Sequence, residues 1–345
     1  MESLKTREQI QYMCVELGSD SLLVQGPGGN VSWKEGSTLW IKASGTWLSN
    51  AVTSDIFIPT DLTHIRNALL DGNFKVTPKV INDSLLKPSI ETLLHGMMPQ
   101  KVVIHLHAID ILSHLIVDDC EFFLEQLLPK DINYKFVKYC KPGADLAKSV
   151  SMAVSGDKEV DVIFLLNHGV VIAGESSQEV TNTLKKITSA LKSKIKYKDN
   201  TIPVKKDSPI SQELAEYGYS PVQNNLLHSL ALEPDLISMV NNKWALFPDH
   251  VVFLGERAFI GDMNHLRKQL CQIDQALPPF IFLTGVGTFQ HHSTTNAQFD
   301  QLNCFFDVAV RQENIDSIIT LTSSEIQELL NWDAEIYRQS LSEKK

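Results

Sequence analysis

His105 and His107 end an apolar run, VVIHLH, over residues 102–107. Strand side chains alternate faces, so residues two apart point the same way. Two imidazoles on one strand face can chelate a single metal. The other reading is a pair of surface histidines on the solvated face of a sheet. A third histidine, His168, stands between the apolar run 160–166 and Gly169. It is either a further ligand or a hydrogen-bonded turn histidine. Glu91 follows Pro88 and Ser89. Proline is excluded from helix interiors and serine caps helix starts, so Glu91 falls in the first turn of a helix running to about residue 98. Its carboxylate there either complements the helix dipole or faces the histidines as an acid/base.

Two glycine-bearing turns precede these residues. Gly28, Gly29 and Asn30 follow the apolar run 22–24, and Ser44 and Gly45 follow the strand-like stretch 38–42. Such turns at neighbouring strand ends can set backbone N–H groups around a phosphate. They also serve as plain hairpin turns.

The elements that must position these groups read as follows. Ile10, Met13, Cys14 and Leu17 recur at helical spacing in the opening segment. Strands are expected over 31–33, 38–42, 56–59, 102–107, 135–139, 160–166 and 170–174. Helices are expected over 62–70, 109–117, 145–154 and 179–191. A lysine-rich run over 192–206 reads as a solvated helix end and linker, with a domain boundary near 200–208. The remainder reads as a second α/β unit with strands over 251–254 and 280–284. Gly285, Val286 and Gly287 form a structural turn. His291 and His292 are adjacent and diverge on an extended backbone, so they do not share one metal.

Composition narrows the function. The 345 residues are 43% hydrophobic and 21% charged, with a formal net charge of -10. An acidic balance argues against nucleic acid or an anionic membrane as the main partner. No stretch reaches the roughly 18 apolar residues of a membrane span. The charged N-terminal segment lacks the apolar core of a signal peptide. Five scattered cysteines without a CxxC spacing read as reduced thiols. A cytoplasmic location is expected.

Taken together, residues 1–200 resemble the class II aldolase/adducin family. The matching pieces are GGNVS at 28–32, KASG at 42–45, PSIE at 88–91, HLH at 105–107 and NHG at 167–169. The resemblance is nearest to the longer, rhamnulose-phosphate-aldolase-like branch. Its added portion is matched by PDHVVFLG at 248–255 and GVGTF at 285–289. It implies an α/β fold, with α/β/α layers around a mainly antiparallel sheet in a catalytic domain over 1–205. A smaller α/β domain of uncertain role follows over 206–345, with no dehydrogenase domain after it.

The resemblance also assigns roles. His105, His107 and His168 become the ligands of Zn²⁺ or another divalent metal, and Glu91 the acid/base. Gly29, Asn30, Ser44, Gly45 and Ser89 match the positions that hold a substrate phosphate. The reaction implied is aldol cleavage or formation of a sugar or sugar phosphate. Its enediolate is stabilised by the metal as a Lewis acid, and Glu91 exchanges a proton with carbon. An epimerase or decarboxylase on the same site and a non-catalytic adducin-like scaffold are the alternatives. A homo-oligomer, such as a tetramer, is expected. Ile90 stands where the family's sugar-phosphate aldolases carry a second serine. The family's alkoxide-protonating tyrosine has no aligned counterpart, with Tyr134 and Tyr139 the nearest.

Overall fold

The computed structural model describes residues 2–157, 159–195, 204–205, 207–271 and 277–342. It divides into two compact units, one of Met1–Lys192 with Asn331–Lys345 and one of Ser193–Leu330. Residues 196–203 and 206, the middle of the lysine-rich run, lie outside the described residues. The division falls at the start of that run. A second crossing at residue 331, which the sequence does not announce, returns the last helix to the first unit.

The first unit holds seven strands: β1 (Asn30–Glu35), β2 (Thr38–Lys42), β3 (Phe57–Asp61), β4 (Val102–Leu106), β5 (Tyr134–Val137), β6 (Val162–Leu165) and β7 (Gly169–Gly174). Their order across the sheet is β3-β2-β1-β4-β7-β6-β5. Every neighbouring pair is antiparallel except β5 with β6. The sheet is therefore mainly antiparallel, as expected.

Alternation along the strands divides the core between two faces. Val31 and Trp33 of β1 share one cluster with Val102, Ile104 and Leu106 of β4. Helix Glu2–Ser19 covers that face with Ile10, Met13, Cys14 and Leu17, and helix Ser177–Ala190 adds Val180, Leu184 and Ile187. Val103 points the other way, against Ile163, Leu165 and Val171. There Leu94 of helix Thr92–Met97 and Leu146 and Val150 of helix Ala144–Ala153 close the layer. The result is an α/β/α sandwich, and His105 falls on the second face, two residues beyond Val103.

The second unit holds β8 (Tyr219–Pro221), β9 (Phe259–Gly261), β10 (Phe280–Leu283) and β11 (Gly287–His291), in the order β8-β11-β10-β9. Leu214, Leu266 and Leu270, from helices Pro209–Glu216 and Met263–Cys271, pack with Tyr219, Ile281 and Phe289. Gly285 to Gly287 is the β10–β11 hairpin turn, with the Val286 N–H donating to Leu283 O at 2.9 Å.

One expectation is overturned. Residues 251–254 form no strand; they belong to helix Pro248–Leu254. Proline at the first position and Asp249 in the first turn both favour a helix start. Every residue of this helix is buried. A helix enclosed on all sides loses its polar face, and with it the 3.6-residue periodicity that separates helix from strand. Among the described residues no helix is long and apolar enough to cross a membrane.

Candidate metal centre

Three histidines from two parts of the chain meet at one end of the first unit's sheet. His105 lies on β4, opposite Asn30 of β1 and Val171 of β7. His107, one residue past the end of β4, keeps the same side. His168 arrives from the β6–β7 hairpin, where Asn167 takes a left-handed φ of 52°. Asparagine tolerates that conformation better than most residues. The turn is tied down by the Asn167 N–H on Leu115 O at 3.1 Å and the His168 N–H on Leu165 O at 3.1 Å. The ring centroids are 5.0 Å apart for His105–His107, 4.9 Å for His105–His168 and 5.6 Å for His107–His168. One nitrogen from each ring lies within 4.8 Å of the other two, and all three residues are buried. Among the described residues this is the one such group able to hold a metal.

The donor chemistry fits a cation. His105 Nδ1 lies 3.2 Å from the Val170 carbonyl, which can only accept, so Nδ1 carries the proton and Nε2 the lone pair. That is the arrangement by which a ligand histidine is oriented from behind. His107 Nε2 is 3.2 Å from His105 Nε2. Two nitrogens bonded to a tetrahedral zinc at about 2.0–2.1 Å stand about 3.3 Å apart. Three imidazoles leave a fourth position open for substrate, as catalytic zinc requires.

Glu91 completes the cluster. Helix Thr92–Met97 begins two residues later than a Ser89 cap implied, so Glu91 is its N-cap residue. Its side chain makes no capping bond. The carboxylate faces the histidines instead, with Oε2 3.4 Å from His105 Nε2 and Oε1 3.6 Å from His168 Nε2. The Asn30 amide donates to Oε2 at 2.7 Å. Glu91 is only 5% exposed. A buried carboxylate is costly without compensating charge, and a divalent cation among the imidazoles would supply it.

The remaining expected positions fall into two places. Gly29 lies against the His105 carbonyl, beneath the cluster. Ser44 and Ser89 lie on two loops running side by side: Ala43 bridges Pro88, Ser44 N–H donates to Lys87 O, and Ser89 N–H to Lys42 O. Gly45 follows Ser44 against Leu341 of the last helix. Ser89 Oγ accepts the Glu91 N–H at 3.2 Å, which links these loops to the cluster. Tyr134 packs with Phe136 and Phe164 in the core of the opposite face.

One neighbour was not singled out from the sequence. His95 is fully buried and its Nδ1 lies 2.8 Å from Ser32 Oγ. Burial, first of all, and its neighbours His105 and Lys34 hold it well below the ordinary histidine range. It therefore stays neutral and adds no cation to the cluster. Its place one helical turn after Glu91 is the signal that marks it. His250 differs: it is enclosed by Trp244, Phe247 and Phe305, and burial lowers it to about 3.

Gly169 limits what the site tolerates. A Cβ there would lie 2.6 Å from Leu106 O, 3.0 Å from His107 Cδ2 and 3.1 Å from His105 Cε1. Gly169→Ala must displace both imidazoles or the β4 backbone. Overpacking of this kind costs about 1–3 kcal/mol. The expected outcome is a lowered melting temperature together with weakened zinc binding in a competition titration. Unchanged zinc affinity would show that the rings are not held in register by this contact.

Comparison with known proteins places the chain. The family model described as Class II Aldolase and Adducin N-terminal domain matches residues 8–195. The "Uncharacterized oxidoreductase YuxG" of Bacillus subtilis (strain 168) is 28% identical over 187 residues, which are 50% of this chain and 27% of that protein. The chain thus spans about a quarter of the length of that curated relative. Among solved structures, the N-terminal class II aldolase domain of a conserved protein from Thermoplasma acidophilum is 30% identical, covering 53% of this chain and 90% of that one at a TM-score of 0.45. A sugar-phosphate aldolase from Thermotoga maritima is 16% identical, covering 55% of this chain and 94% of that one at a TM-score of 0.43. With more than half of its length matched by the family model, the chain belongs to the class II aldolase and adducin family.

Proposed function

We propose that this protein is a metal-dependent aldehyde-lyase that cleaves or forms a sugar or sugar phosphate. The observation that carries the reading is the buried meeting of His105, His107 and His168 with the Glu91 carboxylate 3.4 and 3.6 Å from two of them. The three imidazoles would hold one divalent cation, zinc by their donor type. When bound, it supplies Lewis acidity to the carbonyl and hydroxyl oxygens of a ketose, so that enediolate charge is tolerated in a buried site.

The rest falls to the chain itself. Glu91 as the protonated acid delivers its proton to the enediolate carbon in cleavage, leaving the carboxylate, and the carboxylate takes a proton back from that carbon in condensation. Asn30, donating to Oε2, fixes the carboxylate's rotation so that Oε1 keeps its side of the site. Because one oxygen accepts a hydrogen bond and the group is desolvated, the carboxylate is held in place for proton exchange rather than hydrated. The loops carrying Ser44, Gly45 and Ser89 bind the far end of the substrate, while Gly29 lets β1 approach the His105 backbone. A homo-oligomer belongs to the same reading, supported by family membership and checked by light scattering.

The test is incubation of metal-loaded protein with a panel of ketoses and ketose phosphates under an aldehyde trap. Aldehyde release supports the aldolase. Isomerisation without release would move the assignment to an epimerase, and carbon dioxide from a sugar acid to a decarboxylase.

A further inference from the structure

The last helix of the chain, Asp333–Ser342, returns to the first unit and packs over the loops that carry Ser44 and Ser89. The fit is close. Gly45 has a φ of 76°, and a Cβ there would lie 2.7 Å from the Leu341 side chain. One on Gly143 would lie 3.3 Å from the Trp332 ring. The Lys141 ammonium lies 4.7 Å from the Trp332 ring centroid, and the Lys87 ammonium 4.3 Å from that of Tyr337. Between loops and helix lies a cleft of ≈ 310 Å³, lined by Ser44, Lys87 and Ile90 on one side and by Trp332, Asp333 and Tyr337 on the other. Ile90 immediately precedes Glu91, so one wall of the cleft and the site described above belong to the same stretch of chain.

We propose that this cleft binds the far end of the substrate and selects a neutral, hydroxylated end over a phosphate monoester. The proposal rests on the aldolase reading and narrows its substrate class. A phosphate dianion is held by free backbone N–H groups or by surplus cations. Here the Ser44 and Ser89 N–H groups are spent on Lys87 O and Lys42 O. The Asn30 amide is directed at Glu91. Lys87 is the one cation on the lining, and the Asp333 carboxylate offsets it. Ile90 contributes only hydrocarbon.

What remains suits a polyol. Trp332 and Tyr337 offer aromatic surface to C–H groups, while the Asp333 carboxylate and Ser44 hydroxyl meet hydroxyls. Because these residues come from the returning segment, specificity at this end is set by sequence lying after the second unit.

The experiment is calorimetric titration of the metal-loaded protein with dihydroxyacetone and with dihydroxyacetone phosphate, alongside exchange of their C–H protons in D₂O. The expected result is binding at least about tenfold tighter for dihydroxyacetone, with Asp333→Lys shifting the ratio toward the phosphate by about tenfold or more. Trp332→Ala is expected to weaken dihydroxyacetone binding with metal content unchanged. Equal binding, tighter binding of the phosphate, or a ratio insensitive to Asp333→Lys overturns the proposal. Proton exchange reports separately: its absence with both ketones counts against the aldolase reading, while the binding ratio still decides the cleft.

Discussion

Glu91→Gln is expected to abolish proton exchange at the substrate carbon while leaving the metal in place. The glutamine keeps the volume and can still meet the Asn30 amide through its carbonyl oxygen, so the 2.7 Å contact has a neutral replacement. What it lacks is a group able to take and return a proton. Positioned general acid–base groups contribute about 10²–10⁴-fold, and a loss of that size is expected in deuterium incorporation and in aldehyde release. Bound metal, measured by elemental analysis, is expected to match the parent protein, because the imidazoles provide the coordinating nitrogens. Retained exchange in Glu91→Gln would transfer the acid/base role to another group. Loss of metal in the same variant would recast Glu91 as a ligand.

His168→Ala is expected to have the larger structural consequence. His105 and His107 come from one strand and its end, so they remain neighbours without any tertiary contact. His168 closes the set from the β6–β7 hairpin, and its removal leaves two ligands. Loss of a partner that merely supports a ligand already costs about 10–100-fold in metal affinity, so loss of a ligand is expected to cost at least about 100-fold. A ligand at about 100 times its dissociation constant adds about 2.7 kcal/mol, or roughly 4 °C in melting temperature for a 345-residue chain. Zinc should therefore raise the melting temperature of the parent protein and leave that of His168→Ala unmoved. His107→Ala should behave alike, which separates loss of the metal from a local defect in the hairpin. Equal zinc shifts in parent and variants would contradict the three-histidine site.

Much of this site was legible before the fold. The HLH spacing fixed the common direction of His105 and His107, since alternation along β4 is a local property. Glu91 was placed at a helix start by Pro88 and Ser89, with the cap expected two residues before the one it forms. That displacement decided an open question, because a carboxylate at the cap that makes no capping bond can face the histidines. The approach of His168 was carried by family resemblance; the residues alone favoured a core or turn histidine. It depends on β7 pairing with β4, a contact between segments far apart in the chain.

Three features could not be read in advance. The run 251–254 has the same apolar character whether it is strand or enclosed helix, and only burial on all sides distinguishes them. The return of Trp332, Asp333 and Tyr337 to the loops of Ser44 and Lys87 is a tertiary event with no local signature. Asn30, matched to a phosphate position by resemblance, donates to Glu91 because strand pairing sets β1 beside β4 and brings Asn30 opposite His105.

The whole reading requires one cation among these three imidazoles. Anomalous diffraction recorded at the zinc edge from crystals of the metal-loaded protein tests it most directly. A single strong peak is expected in the first unit, within bonding distance of a nitrogen of His105, His107 and His168 and beside the Glu91 carboxylate. No peak there, or a zinc held by other residues, would contradict it.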